Sequence, residues 1–105
     1  MGKVIEITDE NFEVEVTQSA VPVLLDFLGD HCGPCKMLKP VLIALAEEMG
    51  DTIKVGTVDV ADNERLTNAF KIEVVPTIIV MKNGKVAQRL IGLQSKRQLQ
   101  AALEA

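Results

Sequence analysis

The stretch 21–29, VPVLLDFLG, limits the possible folds more than any other part of this sequence. It is rich in strand-forming residues and almost wholly apolar, with no alternation between apolar and polar positions. A strand of that composition is covered on both faces of its sheet. We therefore expect a central strand with helices packed on either side of it, which is an α/β architecture.

The segments around this strand carry alternating strand and helix patterns. Further strands are predicted at 3–8, 52–60, 77–82 and 85–92, and helices at 9–19, 36–50, 62–70 and 95–105. The order βαβαβαββα implies a mixed sheet in which parallel crossovers come first and an antiparallel hairpin closes one edge. We expect a single domain over residues 1–105.

Local signals mark several boundaries of these elements. Thr8 and Asp62 are candidate N-caps of the first and third helices, and Ser95 with Gln98 has the spacing of a capping box. The Asn-Gly pair at 83–84 lies between two strand patterns and predicts a tight hairpin turn.

Composition excludes several classes of protein. With 48% apolar and 25% charged residues, the chain has the composition of a folded domain. The net charge of −4 and the scattered lysines argue against a nucleic-acid partner. No apolar run approaches the ~18 residues that span a bilayer, so we expect no membrane association. The opening MGKVIEIT lacks the apolar segment of a secretory signal, and we expect a cytoplasmic monomer.

The only two cysteines lie in the motif CGPC at 32–35, directly after His31, the single histidine. A structural zinc site needs four ligands, whereas Cys32, Cys35 and His31 supply three at most. The same count opposes an iron–sulfur cluster within one chain. A disulfide across so short a loop adds little stability. We therefore expect neither a metal site nor a structural staple.

The position of the motif favours redox chemistry instead. It lies between the end of the apolar strand and the start of a helix, where unpaired N–H groups and the helix dipole stabilise an anion. Pro34 suits the first helical turn, because it has no N–H to leave unpaired. We expect an exposed Cys32 thiol with a lowered pKa and a more shielded Cys35, the arrangement that disulfide exchange requires. In the alternative interpretation, Cys32 and Cys35 do not interconvert between the dithiol and disulfide forms.

The segments VLLDF, CGPCKMLKP, VVPT and KNG, with the glycine of IGL, resemble the thioredoxin family over essentially the whole chain. The resemblance implies the thioredoxin fold, a central mixed β-sheet flanked by helices on both faces. It also implies a protein-disulfide reductase that acts by dithiol–disulfide exchange. Such a protein needs no bound cofactor, because a partner disulfide reductase supplies the electrons and disulfide-containing target proteins receive them.

The resemblance also assigns roles to individual residues. Cys32 is implied to be the nucleophile that forms a mixed disulfide with the target, and Cys35 the thiol that resolves it. Asp26 is implied to accept a proton from Cys35 through water. The apolar neighbours of Asp26 independently predict a buried carboxyl with a raised pKa. The alternative is an acid at a strand edge that reaches solvent.

Gly33, Pro34, Val75, Pro76 and Gly92 are implied to form the surface that binds the target. Pro76 matches the family's cis-proline, and X–Pro bonds are those in which the cis form is accessible. With the backbone of Val75, it would pair with an extended target segment, as in strand addition. Gly92 has a second interpretation as an ordinary turn glycine.

Three positions depart from the family pattern. His31 and Leu28 stand where the family usually has tryptophan, and Thr57 stands where it usually has a lysine facing the buried aspartate. The missing cation should leave Asp26 easier to protonate. His31 has three interpretations: an exposed ring that alters target contacts, a cation that stabilises the Cys32 thiolate and makes the protein more oxidising below about pH 7, and a metal ligand, the least favoured.

Two other functions are weighed beside disulfide reduction. One is a protein of the same fold that oxidises thiols or isomerises disulfides in other proteins. The Gly-Pro pair between the cysteines and the lack of a secretory signal disfavour this alternative. The other is a binding subunit whose cysteines are incidental and whose apolar patch around Pro76 holds a partner. Replacing both Cys32 and Cys35 by serine separates these classes, because a binding subunit keeps its function.

Overall fold

The structure, a computed structural model, describes residues 2–105; Met1, with which the expected domain begins, lies outside the described residues. The strands are β1 Val4–Glu6, β2 Val23–Leu28, β3 Lys54–Asp59, β4 Thr77–Lys82 and β5 Lys85–Ile91. The α-helices are α1 Gly33–Met49, α2 Glu64–Ala69 and α3 Lys96–Glu104. A short π-helix, Glu13–Thr17, precedes β2, and a 3₁₀ turn, Gly50–Thr52, follows α1.

The five strands form one mixed sheet in the order β1-β3-β2-β4-β5. The first three are parallel, since β3 pairs in parallel with both β1 and β2. Strand β4 runs antiparallel to β2 and to β5, with which it forms the hairpin at one edge. The apolar strand β2 is therefore central, and the predicted mixed α/β sheet is confirmed.

Helices cover both faces of this sheet. On one face, α1 and α3 pack their leucines against β2 and β4, in a cluster that includes Leu38, Leu42, Leu99, Leu24 and Ile78. On the other face, the π-helix and α2 pack against β2 in a second cluster, which includes Val16, Leu66, Leu25, Phe27 and Ile79. Successive side chains of a strand point to opposite faces, so Asp26 shares the face of Leu24 and lies beneath α1.

Several predicted local signals are confirmed. Ser95 Oγ accepts a hydrogen bond from the Gln98 N–H, and the Gln98 side chain accepts one from the Ser95 N–H, which completes the capping box of α3. In the hairpin turn, Asn83 and Gly84 have φ of 54° and 74°, as a two-residue turn between twisted strands requires. Helix α1 begins at Gly33, three residues before its predicted start.

The prediction that Asp62 caps α2 is wrong. The N-cap residue is Asn63, whose side chain does not cap the helix. The Asp9 carboxylate accepts hydrogen bonds from the N–H groups of Arg65 and Leu66 instead, at 3.3 and 3.0 Å. The cap therefore comes from a loop distant in sequence, while Asp62 is exposed.

The first predicted helix has the right place but the wrong length and type. Thr8 Oγ1 accepts a hydrogen bond from the Asn11 N–H, and Asn11 Oδ1 accepts one from the Thr8 N–H, but these bonds close a turn before the helix. The prediction that Thr8 is the N-cap is therefore wrong. The helix itself is the π-helix, and its N-cap residue Phe12 provides no side-chain bond. Val16 is the buried residue of this π-helix.

Candidate active site

The two cysteines lie at the N-terminus of α1 and are joined by a disulfide bond. Cys32 is the N-cap residue, in extended conformation, and Gly33 and Pro34 occupy the first turn. The Cys35 N–H donates to Cys32 Sγ at 3.1 Å. Because the first N–H groups of a helix have no partner within it, they favour negative charge on a sulfur placed there. This site can therefore stabilise a Cys32 thiolate.

The expectation that Cys32 is much more exposed than Cys35 is wrong for the disulfide form. Cys32 is 8% exposed and Cys35 is 7% exposed. The cause is the loop that precedes β4, whose Val75 carbonyl oxygen lies 3.7 Å from Cys32 Sγ.

His31 is exposed and adopts a φ of 57°, in the left-handed region of backbone conformation. That conformation turns the chain between the end of β2 and the cysteine that begins α1. Over residues 2–105, no group of three histidine, cysteine, aspartate or glutamate side chains is placed to hold a metal ion.

Asp26 is buried, as its apolar neighbours predict. It is 1% exposed and lies in register between Thr57 of β3 and Ile78 of β4. Within the described part of the chain, its Oδ1 has no hydrogen-bond partner and no lysine or arginine pairs with it. Burial raises the pKa of its carboxyl to about 7. The alternative of a solvent-exposed acid at a strand edge is wrong, because β2 is central.

Asp26 and Cys35 line the same cavity, which has a volume of about 680 Å³. It lies between α1 and the strands β1, β2 and β3, and we call it the Asp26 cavity. Leu28 and Thr57, two of the three positions that depart from the family pattern, also line it. The structure therefore brings the carboxyl that the sequence singled out and the second cysteine to the wall of one cavity.

The predicted target-binding residues lie around the same end of the sheet. The Val75–Pro76 peptide bond is cis, and Pro76 is buried. Its carbonyl accepts a hydrogen bond from the Gly92 N–H at 2.9 Å, which brings the two loops together. Gly92 has a φ of 87°, which favours glycine whether or not a target binds there. Gly33 and Pro34 are exposed at the start of α1.

The sequence analysis named an apolar patch around Pro76 but not the side chains that form it. Val74, Ile91 and Leu93 are large apolar residues that are half exposed or nearly so. They flank Val75 and Gly92 in sequence, so their positions next to VVPT and around IGL are the signal that would have found them. Exposed apolar residues next to a reactive group are typical of a surface that binds other proteins.

Comparisons with known proteins agree with this geometry. The family model described as thioredoxin matches residues 3–105. The thioredoxin of Haemophilus influenzae is 40% identical over 99 residues, which cover 94% of this chain and 92% of that protein. The thioredoxin of Alicyclobacillus acidocaldarius is 42% identical over 97 residues, which cover 92% and 91%.

A longer relative carries a second activity in its name. The bifunctional thioredoxin reductase/thioredoxin of Mycobacterium leprae is 38% identical over 98 residues, which cover 93% of this chain and 21% of that protein. In residues 2–105, no helix has the length and apolar character needed to cross a membrane.

Proposed function

This chain belongs to the thioredoxin family and is a protein-disulfide reductase that acts by dithiol–disulfide exchange, and on that premise we propose how its residues divide the reaction. The observation that carries the proposal is the hydrogen bond from the Cys35 N–H to Cys32 Sγ at the start of α1, because it favours negative charge on one sulfur of the pair.

In the reduced protein, the Cys32 thiolate attacks one sulfur of a target disulfide. A bond forms between Cys32 and that sulfur, the target disulfide breaks, and the other target sulfur leaves as a thiolate that takes a proton from water. Cys35 then loses its proton and attacks Cys32 Sγ. The Cys32–Cys35 bond forms, the mixed disulfide breaks, and the target departs with two electrons gained.

Asp26 accepts the proton of Cys35 in the second step. Its carboxyl lines the same cavity as Cys35, and its raised pKa of about 7 suits a group that must take and release a proton near neutral pH. Asp26→Asn should therefore slow resolution of the mixed disulfide, measured by rapid quenching, more than it slows formation. Equal slowing of both steps refutes this role.

The target lies across the start of α1 and the two neighbouring loops. Gly33 and Pro34 border Cys32, and an extended target segment pairs with the backbone of Val75 beside Pro76. Gly92 is held against Pro76 by its hydrogen bond and leaves open space beside it, where a side chain would obstruct the target.

A disulfide reductase returns the electrons to the Cys32–Cys35 bond. The fusion of a thioredoxin reductase to a thioredoxin in the Mycobacterium leprae relative supports this kind of partner. The protein then needs no bound cofactor of its own. We place it in the cytoplasm, as a monomeric single domain over residues 1–105, since a reducing compartment keeps such a pair in its active dithiol form.

The test is reduction of insulin disulfides by the full chain, with a thioredoxin reductase and NADPH as the electron source. Turnover is expected for the parent, with no turnover for the Cys32→Ser variant. Turnover that survives replacement of both Cys32 and Cys35 contradicts the proposal, and so does a parent that oxidises reduced substrates but reduces none.

A further inference from the structure

The Asp26 cavity has the size and composition of a small-molecule site. Its volume of about 680 Å³ lies within the ~300–1,000 Å³ range of ligand pockets. Apolar side chains from three elements form much of its wall, among them Val4 of β1, Leu28 of β2 and Leu42 of α1. Ligand sites combine such walls with a few polar groups that fix orientation.

Asp26 is the buried carboxyl among the described residues that line this cavity. It is 1% exposed, and its Oδ1 has no hydrogen-bond donor among residues 2–105. A buried carboxylate without a donor or a cation is unfavourable, because the interior solvates the charge poorly. A molecule that brings a donor and a positive charge to the carboxylate reduces that cost, through a charge-assisted hydrogen bond.

Among residues 2–105, the groups that surround Asp26 do not supply this cation. The facing residues of β3 and β4 are Thr57 and Ile78, which carry no charge, and Cys35 of α1 is held in the disulfide. Five other charged residues of the described chain line the cavity. Lys3 directly precedes β1 and Glu6 ends it, whereas Lys36, Lys39 and Glu47 belong to α1. None of the three lysines forms an ion pair with Asp26.

We propose that the Asp26 cavity binds small primary alkylammonium compounds, with the ammonium group on the Asp26 carboxylate and the alkyl chain against Leu28, Leu42 and Ile43. The ammonium group donates to the carboxylate and neutralises it. The apolar chain leaves water, at roughly 0.8 kcal/mol for each CH₂ that is buried. Binding itself is independent of the roles proposed above. Its effect on turnover rests on them, because a paired carboxylate is a weaker base for the Cys35 proton.

The test is a titration of the oxidised full chain with n-butylammonium chloride. NMR signals of the backbone amides and of the Asp26 side-chain carboxyl monitor binding. At pH 8.5, saturable shifts are expected at residues that line the cavity. Binding should be about 30-fold weaker at pH 5.5, where a carboxyl with a pKa of about 7 is mostly protonated.

Two controls keep the result specific. n-Butanol has the same chain without the charge, and Asp26→Asn has the same shape without the carboxylate; both should bind at least tenfold more weakly at pH 8.5. Non-saturable shifts, equal binding of butanol, or equal affinity at the two pH values overturns the proposal. Because no target or reductase is present, such a failure leaves the disulfide-exchange mechanism intact.

Discussion

Asp26 makes the stability of the protein depend on pH. Its carboxyl has an ordinary pKa of 3.8, and burial raises the pKa in the folded protein to about 7. Between these values the folded state binds more protons than the unfolded chain, so the free energy of unfolding falls as pH rises from about 4 to about 7. The loss approaches about 4 kcal/mol, from 1.36 kcal/mol for each pKa unit.

Urea unfolding of the oxidised protein at a series of pH values measures this loss. In Asp26→Asn, the free energy of unfolding should vary little between pH 4 and 7. At pH 8 this variant should unfold at a higher urea concentration than the parent. Asp30→Asn is the matched control, because Asp30 is an exposed acid near the end of the same strand, and it should keep the parent profile. A parent whose stability is constant from pH 4 to 8 contradicts the buried, unpaired carboxyl.

His31 precedes Cys32, the proposed nucleophile, and we predict that its cationic form stabilises the Cys32 thiolate. Its left-handed backbone turns the chain directly into Cys32. Two charges ~5 Å apart interact by about 1 kcal/mol in a water-like medium, and 1.4 kcal/mol corresponds to about 30 mV for this couple. His31→Gln should therefore raise the pKa of the Cys32 thiol and make the redox potential more reducing. A pKa change below about 0.3 units refutes the prediction.

Helix α2 depends on a cap from outside its own sequence. The Asp9 carboxylate accepts two N–H groups of its first turn, and Arg65 lies near the same carboxylate. Asp9→Ala should lower the free energy of unfolding by about 1 kcal/mol, the usual cost of a lost N-cap. Asp62→Ala should change it by less than about 0.5 kcal/mol. Equal effects of the two substitutions in urea titrations contradict the capping assignment.

Strand β5 holds the segment that leads to Pro76. The Arg89 guanidinium donates to the carbonyls of Phe70 and Lys71 at 2.8 and 3.0 Å, at the end of α2. Arg89→Met keeps the length of the side chain but loses both bonds, so the loop that we propose contacts the target should loosen. We expect the KM for insulin to rise roughly threefold to tenfold, from about 1 kcal/mol of lost hydrogen bonding.

The redox potential should not change in Arg89→Met, because the Cys32–Cys35 bond and the start of α1 remain intact. Lys85→Met, an exposed substitution on the same strand, is the control and should leave both quantities unaltered. An unchanged KM in Arg89→Met shows that the loop keeps its position without these bonds.

The elements that the sequence predicted well are those whose signals are local. The apolar run of β2, the Asn-Gly turn and the Ser95 capping box each depend on residues within a few positions of one another. The α2 cap was missed because Asp9 lies 56 residues from Arg65. The π-helix was missed because an apolar period does not distinguish its wider turns from those of an α-helix.

At the scale of the whole molecule, the site is formed where three separate parts of the chain meet. The start of α1 supplies the cysteines, β2 supplies Asp26 beneath them, and the loop before β4 covers Cys32. The sequence predicted the first two, because the motif and the buried acid are each visible within one segment. The equal burial of the two cysteines and the Asp26 cavity were not predictable, since they depend on side chains that meet only in the folded chain.

In the proposed reaction, Cys32 attacks the target and Cys35 resolves the mixed disulfide. The most direct test of these roles is to mix reduced Cys35→Ser and reduced Cys32→Ser with the same target disulfide and to map any covalent adduct by mass spectrometry. We predict that Cys35→Ser accumulates a stable adduct through Cys32, while Cys32→Ser accumulates almost none. The Cys32→Ser variant could instead form an adduct through Cys35. If that adduct forms as quickly as the Cys32 adduct of Cys35→Ser, the assignment of Cys32 as the nucleophile is wrong.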